Sequence, residues 1–395
     1  MIGLITTSYP QFPGDPSGHF VAAHASALHR DVDILCAGAN ANVNANADVD
    51  ANVTGSSPLA NESRRPRPAS GITVTRIPAH PSLFFSGGAP EALERGSPRT
   101  LLAAASFSVR LAAAVARRAH RWDAIIAHWL APSALAALAS APHTPLLAIA
   151  HGGDIHTLHR LRLLAPTLHL LRLRRAGLAF VSADLLALGR ASAPASAALQ
   201  RYLDTALVQP MGLDLAHFAA LPRVPTTPPT ILVAARLTPI KGVDIALAAL
   251  SHLHTPVHLV IAGAGPEHAA LAAAAPARVT FLGAVSTTER DALLARASVV
   301  VIPSRPLLHG RTEGTPLIAL EALAAGIPVV ASATGGLRAL APAVALVPAE
   351  DPARLAAAID HALRAPKSPE SLRASVAHLD WSHVATVLAP THSSA

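Results

Sequence analysis

Cysteine, aromatic residues and charged residues are all scarce in this chain of 395 residues. The one cysteine, Cys36, excludes a disulfide framework and any site made of several cysteines. Aromatic residues make up only 3% of the sequence, too few for the stacking platforms that bind single-stranded nucleic acid. The net charge of +7 is spread along the chain and mostly due to arginine. We therefore expect no nucleic-acid binding, and the positive charge favours phosphorylated ligands or an anionic membrane surface.

The sequence also lacks a basic leader and an uninterrupted apolar run of about 18 residues, the length of a membrane span. The N-terminus enters an apolar run directly at Met1–Ile5, and the apolar stretch Ala124–Ala150 is broken by histidines and prolines. We expect a soluble, cytoplasmic protein, acting in the cytoplasm or at the cytoplasmic face of the membrane. The 21 histidines are mostly dispersed among other residue types, so no metal site is expected.

Short apolar runs alternate with longer segments of helical period, which is the pattern of βαβ units and a parallel sheet. The length suits two domains, and the proline-rich Leu221–Pro229 is typical of a linker. We predict an N-terminal domain at 1–221 and a C-terminal domain at 222–378. Residues 39–70 have no apolar face to bury and are predicted to be a disordered surface insertion. Ten strands are predicted: Val32–Leu35, Ile72–Arg76, Ala124–Ala127, Leu146–Ala150, Leu178–Val181, Ile231–Ala235, His258–Ala262, Val279–Leu282, Val299–Ile302 and Val329–Ala331.

Polar residues and glycines come directly after four of the predicted strands. They are His151–Asp154, Arg236, Gly263–Pro266 and Ser304. Because ligands of open α/β sheets bind beyond the carboxyl ends of the strands, these groups are expected to converge on one crevice. The alternative for each of them is an ordinary turn between a strand and a helix. Gly263–Pro266 lacks the third glycine of the dinucleotide fingerprint, which disfavours a nicotinamide dinucleotide.

The segment 313–321 combines a helix start with two carboxylates. Thr315 is predicted as the N-cap and Pro316 as the first helical residue, so that free N–H groups and a positive dipole end face a phosphate. Glu321 falls inside an almost wholly apolar helix, where its carboxylate needs good hydrogen bonds, such as those from ribose hydroxyls. The alternative is that Glu321 caps a loop amide and Glu313 only interacts with the helix dipole.

Two cations, Arg236 and Lys241, lie five residues apart around a predicted strand-to-helix turn. In that position they would neutralise the charge that develops on a diphosphate leaving group. Surface arginines and lysines are common, so this pair alone is weak evidence for a diphosphate site. It indicates such a site only together with the other polar groups of the crevice.

Together these residues resemble the retaining glycosyltransferases of family 4, also called glycosyl transferases group 1, which have the GT-B fold. The similarity covers nearly the whole chain apart from residues 39–70 and the tail, and it is more specific in the C-terminal half. The similar stretches are Thr7–Pro10 with Pro13–Gly14, Ala127–Trp129, His151–Asp154, Met211–Asp214 with Phe218, Arg236 with Lys241–Gly242, Gly263–Pro266, Phe281–Gly283, Glu313–Pro316 with Glu321–Ala322, Val329–Ser332 and Gly335–Gly336.

The resemblance implies an α/β fold of two Rossmann-like domains that face each other across a cleft, with residues 379–395 returning to the N-terminal domain. It implies that Arg236 and Lys241 hold the diphosphate of a nucleotide-sugar donor and that Glu321 holds the ribose. Glu313 would contact hydroxyls of the transferred sugar, and His151 would lie near the sugar and the phosphate. Further implied donor-binding residues are Gly18, Gly263, Gly314, Thr315, Pro316 and Leu317. The N-terminal glycine loop departs from the usual tandem-glycine form, and Gly18 is its better candidate for a phosphate contact.

The function that the resemblance implies is transfer of a hexose from a nucleotide-diphosphate sugar to a hydroxyl acceptor, with retention of configuration. Neither a metal nor another cofactor is implied, and the acceptor is a glycan, a lipid-linked molecule or a small molecule. The alternatives are a nucleotide-sugar epimerase on the same fold and a non-catalytic nucleotide-sugar-binding protein.

The segment 156–175 is rich in leucine and carries five arginines, at positions 160, 162, 172, 174 and 175. Leucine and arginine at helical spacing are typical of a helix that lies on an anionic membrane surface. The alternative is a pair of helices that cover the N-terminal sheet and leave their arginines in solvent or facing the cleft.

Overall fold

The computed structural model describes residues 1–38, 71–80, 83, 97–224, 226–307 and 310–390. The predicted disordered insertion at 39–70 lies outside these residues, as does the tail from 391. The described residues form an α/β structure with two parallel sheets, as the sequence predicts.

The N-terminal sheet has seven parallel strands in the order β3-β2-β1-β4-β5-β6-β7. All seven residues of the second strand, Val32–Gly38, are buried, because parallel sheets are covered on both faces. The strands are β1 Ile2–Ile5, β2 Val32–Gly38, β3 Ile72–Pro78, β4 Ala124–His128, β5 Leu146–Ala150, β6 Gly177–Phe180 and β7 Leu207–Val208.

The C-terminal sheet has six parallel strands in the order β10-β9-β8-β11-β12-β13. All ten predicted strands are confirmed to within a few residues at their ends. The prediction missed β1, β7 and β13; β7 has two residues, both exposed, and so has no apolar run to indicate it. The strands are β8 Thr230–Ala234, β9 His258–Ala262, β10 Val279–Gly283, β11 Ala297–Ile302, β12 Val329–Ser332 and β13 Ala345–Val347.

Helices connect these strands and cover the sheets. The described α-helices are α1 His19–Ala27, α2 Pro98–Arg118, α3 Leu135–Ala137, α4 Gly153–Arg160, α5 Leu164–Leu173, α6 Ala183–Ala191, α7 Ala197–Asp204, α8 Leu215–Ala219, α9 Val243–Ala249, α10 His268–Ala274, α11 Thr287–Arg296, α12 Leu317–Ala324, α13 Pro352–Arg364, α14 Pro369–Ser375 and α15 Trp381–Val387. Shorter turns are the π-helix Leu130–Ala134 and the 3₁₀ helices Ala119–Arg121, Pro239–Lys241, Leu250–His252, Gly335–Leu340 and Ala377–Leu379.

The strand order of each sheet reverses once, between β1 and β4 in the first sheet and between β8 and β11 in the second. Ligands of open α/β sheets bind outside the carboxyl ends of the strands at such reversals. The fold therefore offers two adjacent binding positions, one after β1 and β4 and one after β8 and β11.

The last described helix, α15, packs on the N-terminal domain rather than on the domain that precedes it. Trp381, Val384 and Leu388 are part of the N-terminal hydrophobic core. The indole of Trp381 lies so close to Gly212 that a Cβ there would fall 2.4 Å from the ring, so the position requires glycine. The chain thus crosses between the two domains twice.

One described helical segment, Pro98–Arg121, is long and apolar enough to cross a membrane by length and composition alone. Its residues Phe107, Leu111 and Val115 are fully buried in the N-terminal core. One face of this segment therefore covers the N-terminal sheet, while its residues Leu101, Leu102 and Val109 are exposed.

Candidate functional site

Loops from both domains meet beyond the carboxyl ends of the strands. The backbone N–H of Thr287 donates to the carbonyl of Gly14 (3.0 Å), and the hydroxyl of Thr315 donates to the carbonyl of Val181 (2.9 Å). Leu317 packs against the cores of both domains. The two binding positions therefore form one cleft.

The predicted N-cap role of Thr315 is wrong. Helix α12 begins at Leu317, and Pro316 occupies the N-cap position with an extended ψ of 123°. The hydroxyl of Thr315 instead reaches Val181 across the cleft. Proline disfavours the helical conformation for the residue before it, which keeps Thr315 out of the helix. Gly326 follows the end of α12 with a positive φ of 73°, the left-handed conformation in which glycine commonly ends a helix.

Two of the predicted site residues, Lys241 and Glu313, form an ion pair. The ammonium of Lys241 lies 2.8 Å from Oε1 and 2.9 Å from Oε2 of Glu313, and both side chains are largely buried. Lys241 comes from the turn after β8, and Glu313 lies four residues before α12. The structure thus brings together a residue predicted to bind the diphosphate and a residue predicted to bind the transferred sugar.

A small cavity of about 20 Å³ lies beside this pair, at the ends of β8 and β11. Lys241, Ser304 and Pro316 are among the residues that line it. The hydroxyl of Ser304 is fully buried and has no hydrogen-bond partner among the described residues. A buried hydroxyl without a partner is a polar group available to a ligand.

Glu321 is buried in α12 with 3% of its surface exposed. Its carboxylate accepts a hydrogen bond from Nη1 of Arg290 (2.7 Å), and Nε2 of His19 lies 3.3 Å away. Its partners among the described residues are thus two side chains rather than the loop amide of the alternative prediction. His19 also contacts the carbonyl of Pro16 through Nδ1 (2.8 Å), so both contacts are hydrogen bonds only when its ring is protonated.

Arg290, on α11, is a site residue that the sequence analysis missed. Its guanidinium also binds Asp291 (2.7 Å) and lies 5.3 Å from the centre of the Phe218 ring. No local pattern marks this arginine, because its partner Glu321 is on another helix. Only Glu321 gave an indirect indication of such a partner, since a carboxylate in an apolar helix requires a hydrogen-bond donor.

The loop after β5 is held by Asp154. This carboxylate accepts hydrogen bonds from the backbone N–H groups of Leu130 (2.6 Å), His151 (3.1 Å) and Gly152 (3.1 Å). Burial raises the pKa of Asp154, and the backbone donors oppose that rise. Asp154 thereby ties the loop after β5 to the loop after β4 and fixes the backbone at His151.

The side chain of His151 lies among aromatic rings and contacts a second histidine, His128. Trp129 and Phe20 lie 4.8 and 5.3 Å from it between ring centres. Nε2 of His151 lies 3.0 Å from Nδ1 of His128, whose Nε2 lies 3.1 Å from Nδ1 of His24. Burial lowers the pKa of His24 to about 4, that of His151 to about 3 and that of His128 well below its usual value. All three rings are therefore neutral at pH 7.

The remaining predicted residues lie around this cleft. Gly18 caps α1 with a φ of 68°, and a Cβ there would fall 2.4 Å from the carbonyl of Ser8. Arg236 and Gly263 lie at the ends of β8 and β9, and the side chain of Arg236 is exposed. Gly314 packs against the carbonyl of His151, so the two loops meet backbone to backbone. Among the described residues, no group of three or more His, Cys, Asp or Glu side chains is arranged to hold a metal ion.

A family model described as glycosyl transferases group 1 matches residues 228–365. These residues are therefore similar to a glycosyl transferases group 1 domain, and we call them the group 1 domain below. The match spans β8 to α13 and includes Arg236, Lys241, Glu313 and Glu321.

Two proteins of Mycobacterium tuberculosis are similar to this chain over part of its length. One is a GDP-mannose-dependent alpha-(1-6)-phosphatidylinositol monomannoside mannosyltransferase, 39% identical over 117 residues, which are 27% of this chain and 30% of that protein. The other is a glycogen synthase, 37% identical over 203 residues, which are 47% of each chain. The chain thus matches less than half the length of these curated relatives.

The crystal structure of HepE of Anabaena in complex with UDP and glucose is similar in fold. The TM-score is 0.66 at 18% identity, over 98% of both chains. This similarity shows that the chain has the GT-B fold, and the residues that the family model matches lie in its C-terminal part.

We expect Arg290→Met to destabilise the group 1 domain by about 3 kcal/mol, because it leaves the carboxylate of Glu321 buried without its strongest partner. The double variant Arg290→Met/Glu321→Leu should recover most of this loss, since it removes both charges. Urea unfolding followed by circular dichroism measures both effects. Arg296→Met, on an exposed position of the same helix, is the control. Equal losses in the single and double variants would show that the ion pair does not matter.

The buried histidines should make the N-terminal domain sensitive to acid. Their pKa values are lower in the folded chain than the ~6.5 of unfolded histidine, so the unfolded state takes up protons first as the pH falls. Stability should be lost from about pH 6.5 down to about pH 4, by up to ~1.4 kcal/mol per pH unit for each histidine.

The measurement is urea unfolding at pH 7 and pH 5, followed by tryptophan fluorescence. The three tryptophans, Trp122, Trp129 and Trp381, all pack in the N-terminal domain, so the signal is specific to it. In His24→Asn, the loss between the two pH values should be smaller by about 2 kcal/mol. The exposed His143 gives the control variant His143→Asn, and an identical loss in His24→Asn and wild type would contradict the expectation.

Proposed function

We propose that this chain is a retaining glycosyltransferase of family 4 that moves a hexose from a nucleotide-diphosphate sugar to a hydroxyl acceptor. The observation that carries the proposal is the Lys241–Glu313 ion pair beside a cavity at the start of α12, with Glu321 buried two turns further along. The functions of the mannosyltransferase and glycogen synthase relatives, and the UDP and glucose bound to HepE, support the same reaction class. They do not favour an epimerase or a non-catalytic binding protein.

In this proposal Lys241 and Arg236 neutralise the diphosphate as it leaves. Lys241 is already held at the cleft by Glu313, and in this proposal a phosphate replaces the carboxylate as its partner. Once released, Glu313 accepts hydrogen bonds from hydroxyls of the transferred sugar. Glu321 accepts from the ribose through the oxygen that Arg290 does not bind. His151 lies near the sugar and the phosphate.

Configuration is retained in this proposal by attack of the acceptor on the face that the diphosphate leaves. The leaving phosphate takes the proton of the acceptor hydroxyl, so no separate base is needed. Two cations beside the diphosphate supply the charge that a divalent metal supplies elsewhere, and we propose that no metal is required. Activity should therefore survive treatment with a chelator.

The experiment first finds the donor by thermal shift with UDP-, GDP- and ADP-sugars, because a bound ligand raises the apparent stability. Release of nucleoside diphosphate is then measured with and without candidate acceptors. Lys241→Met and Glu313→Gln should each lower kcat/KM by ~10- to 150-fold, the worth of a charged hydrogen bond of ~1.5–3 kcal/mol. Glu321→Gln should mainly weaken donor binding, while Glu313→Gln should mainly lower kcat.

Lys367→Met and Glu370→Gln, at exposed positions outside the cleft, are matched controls for charge. Because Lys241 and Glu313 are partners, the effects of Lys241→Met and Glu313→Gln should not add in the double variant. Unchanged kinetics in the folded site variants would overturn the assignment. Loss of activity on chelation, with rescue by a divalent ion, would overturn the metal-independent mechanism.

We further propose that residues 156–175 touch the cytoplasmic face of a membrane while they cover the N-terminal sheet. Leu158, Leu164, Leu168 and Leu171 are buried in the core, but Leu161, Leu163, Leu170 and Leu173 are exposed. Exposed leucines beside the exposed Arg160, Arg162 and Arg175 are a surface that anionic lipid would bind. Arg174 has another role, because its guanidinium donates to the carbonyls of Ala141, Pro142 and Thr144.

Co-sedimentation with liposomes tests this contact. Binding should require anionic lipid, fall as salt rises, and be lost when Arg160, Arg162 and Arg175 are changed to glutamine together. The control changes Arg296, Arg354 and Arg364 to glutamine, which removes the same charge from exposed positions of the group 1 domain. No sedimentation of the wild type at low salt would contradict the proposal and indicate an acceptor in solution.

A further inference from the structure

Three histidines from three different elements form a hydrogen-bonded line in the N-terminal domain. His24 lies on α1, His128 ends β4, and His151 follows β5. The contacts are His24 Nδ1 to His128 Nε2 (3.1 Å) and His128 Nδ1 to His151 Nε2 (3.0 Å). The rings follow one another rather than converge, and no metal-holding group is found among the described residues. We name these residues the histidine line.

The inner end of the histidine line is closed. His24 is fully buried, and its ring stacks on Trp381 with a centre-to-centre distance of 5.3 Å and an angle of 14°. Its Nε2 has no hydrogen-bond partner among the described residues. The outer end is His151, whose Nε2 is taken by His128, so Nδ1 is the nitrogen left for a ligand in the cleft.

Neutral histidine carries one N–H and one acceptor nitrogen, so the line has only two ordered arrangements. In the first, all three rings carry the proton on Nδ1, and the unpaired atom at the inner end is an acceptor nitrogen of His24. In the second, all three carry it on Nε2, and the unpaired atom is a buried N–H. Buried N–H groups without a partner are rarer in proteins than acceptors without one, which favours the first arrangement.

We propose that His24 and His128 are positioning residues that fix His151 as the Nδ1–H tautomer, so that His151 donates a hydrogen bond to the nucleotide-sugar donor. The role toward the donor rests on the proposed function, whereas the tautomer does not. Phosphate and ring oxygens without a proton only accept hydrogen bonds, so the opposite tautomer would face them with a lone pair. The proposal makes His151 a neutral donor rather than a base, and it gives His24 a role although it lies behind two other side chains.

The direct test is NMR of the protein labelled with ¹⁵N-histidine at pH 7.5. Long-range correlations between ring carbon-bound protons and ring nitrogens distinguish Nδ1–H from Nε2–H, and the variants His151→Gln, His128→Gln and His24→Gln assign the signals. The expected result is Nδ1–H for all three rings. Nε2–H for His151, or signals averaged between both tautomers, would overturn the proposal whatever reaction the chain performs.

The functional test compares two nearly isosteric changes at His24. Asparagine can donate to His128 through its amide and preserve the order of the line, whereas a carboxylate only accepts and forces the opposite order. At pH 9, where His128 stays neutral, His24→Asp should place His151 in the Nε2–H form and His24→Asn should not. With the donor identified by thermal shift, kcat/KM of His24→Asp should be at least ~10-fold below that of His24→Asn, which is ~1.4 kcal/mol.

Circular dichroism and tryptophan fluorescence confirm that both variants are folded. If His24→Asp does not fold, the wild-type spectrum still decides the tautomer. Equal kcat/KM values in the two folded variants, with opposite tautomers at His151, would show that the tautomer does not serve the ligand. Absence of any transferase activity in the wild type would instead count against the proposed function and leave the tautomer result standing.

Discussion

The carboxylate of Glu321, buried inside an apolar helix, constrains how the group 1 domain packs. Four residues around Glu321 on α12, from Ala319 to Leu323, are fully buried apolar side chains. An unpaired charge in such surroundings costs several kcal/mol, so Glu321 requires Arg290. Arg290 in turn depends on the position of α11, whose start is fixed by a capping box between Ser286 and Glu289. The need of Glu321 for a positively charged partner thus constrains how α11 packs against α12.

The same carboxylate connects the two domains. His19 at the start of α1 lies 3.3 Å from Glu321, and the N-terminus of α11 donates a hydrogen bond to Gly14 in the loop before α1. A ribose that binds Glu321 would therefore enter beside an existing contact between the domains. In the proposed reaction, donor binding and the approach of the two domains are therefore coupled through the carboxylate of Glu321.

The sequence allowed the fold to be predicted well where burial is continuous. Ten strands were found because parallel strands covered on both faces are short apolar runs. β7 was missed because its two residues are exposed, whereas β1 is a wholly buried apolar run that the prediction left out. The helix after Glu313 was predicted, but its cap was not, because the hydroxyl of Thr315 finds Val181, a residue 134 positions away. Local preferences predict that a helix starts near Pro316, whereas the partner of each side chain depends on tertiary contacts.

For the site, the residue types were predictable and their partners were not. Lys241 and Glu313 were each assigned to a ligand, and the structure pairs them with each other across 72 positions. Arg290 was missed because nothing near it in sequence indicates a buried partner. The histidine line joins residues 104 and 23 positions apart, so no spacing pattern reveals it.

The pairing of the charged groups bears on how the cleft can accept a dianionic ligand. A largely buried lysine and glutamate stabilise each other when no ligand is present, because each replaces part of the water that the other has lost. In the proposed reaction a diphosphate displaces the carboxylate from Lys241, since two negative charges interact with the cation more strongly than one does. The carboxylate freed in this way lies at the start of α12, where it needs new donors, and sugar hydroxyls are donors of the right kind. In the proposed reaction this exchange would therefore couple the arrival of the phosphate to the binding of the sugar.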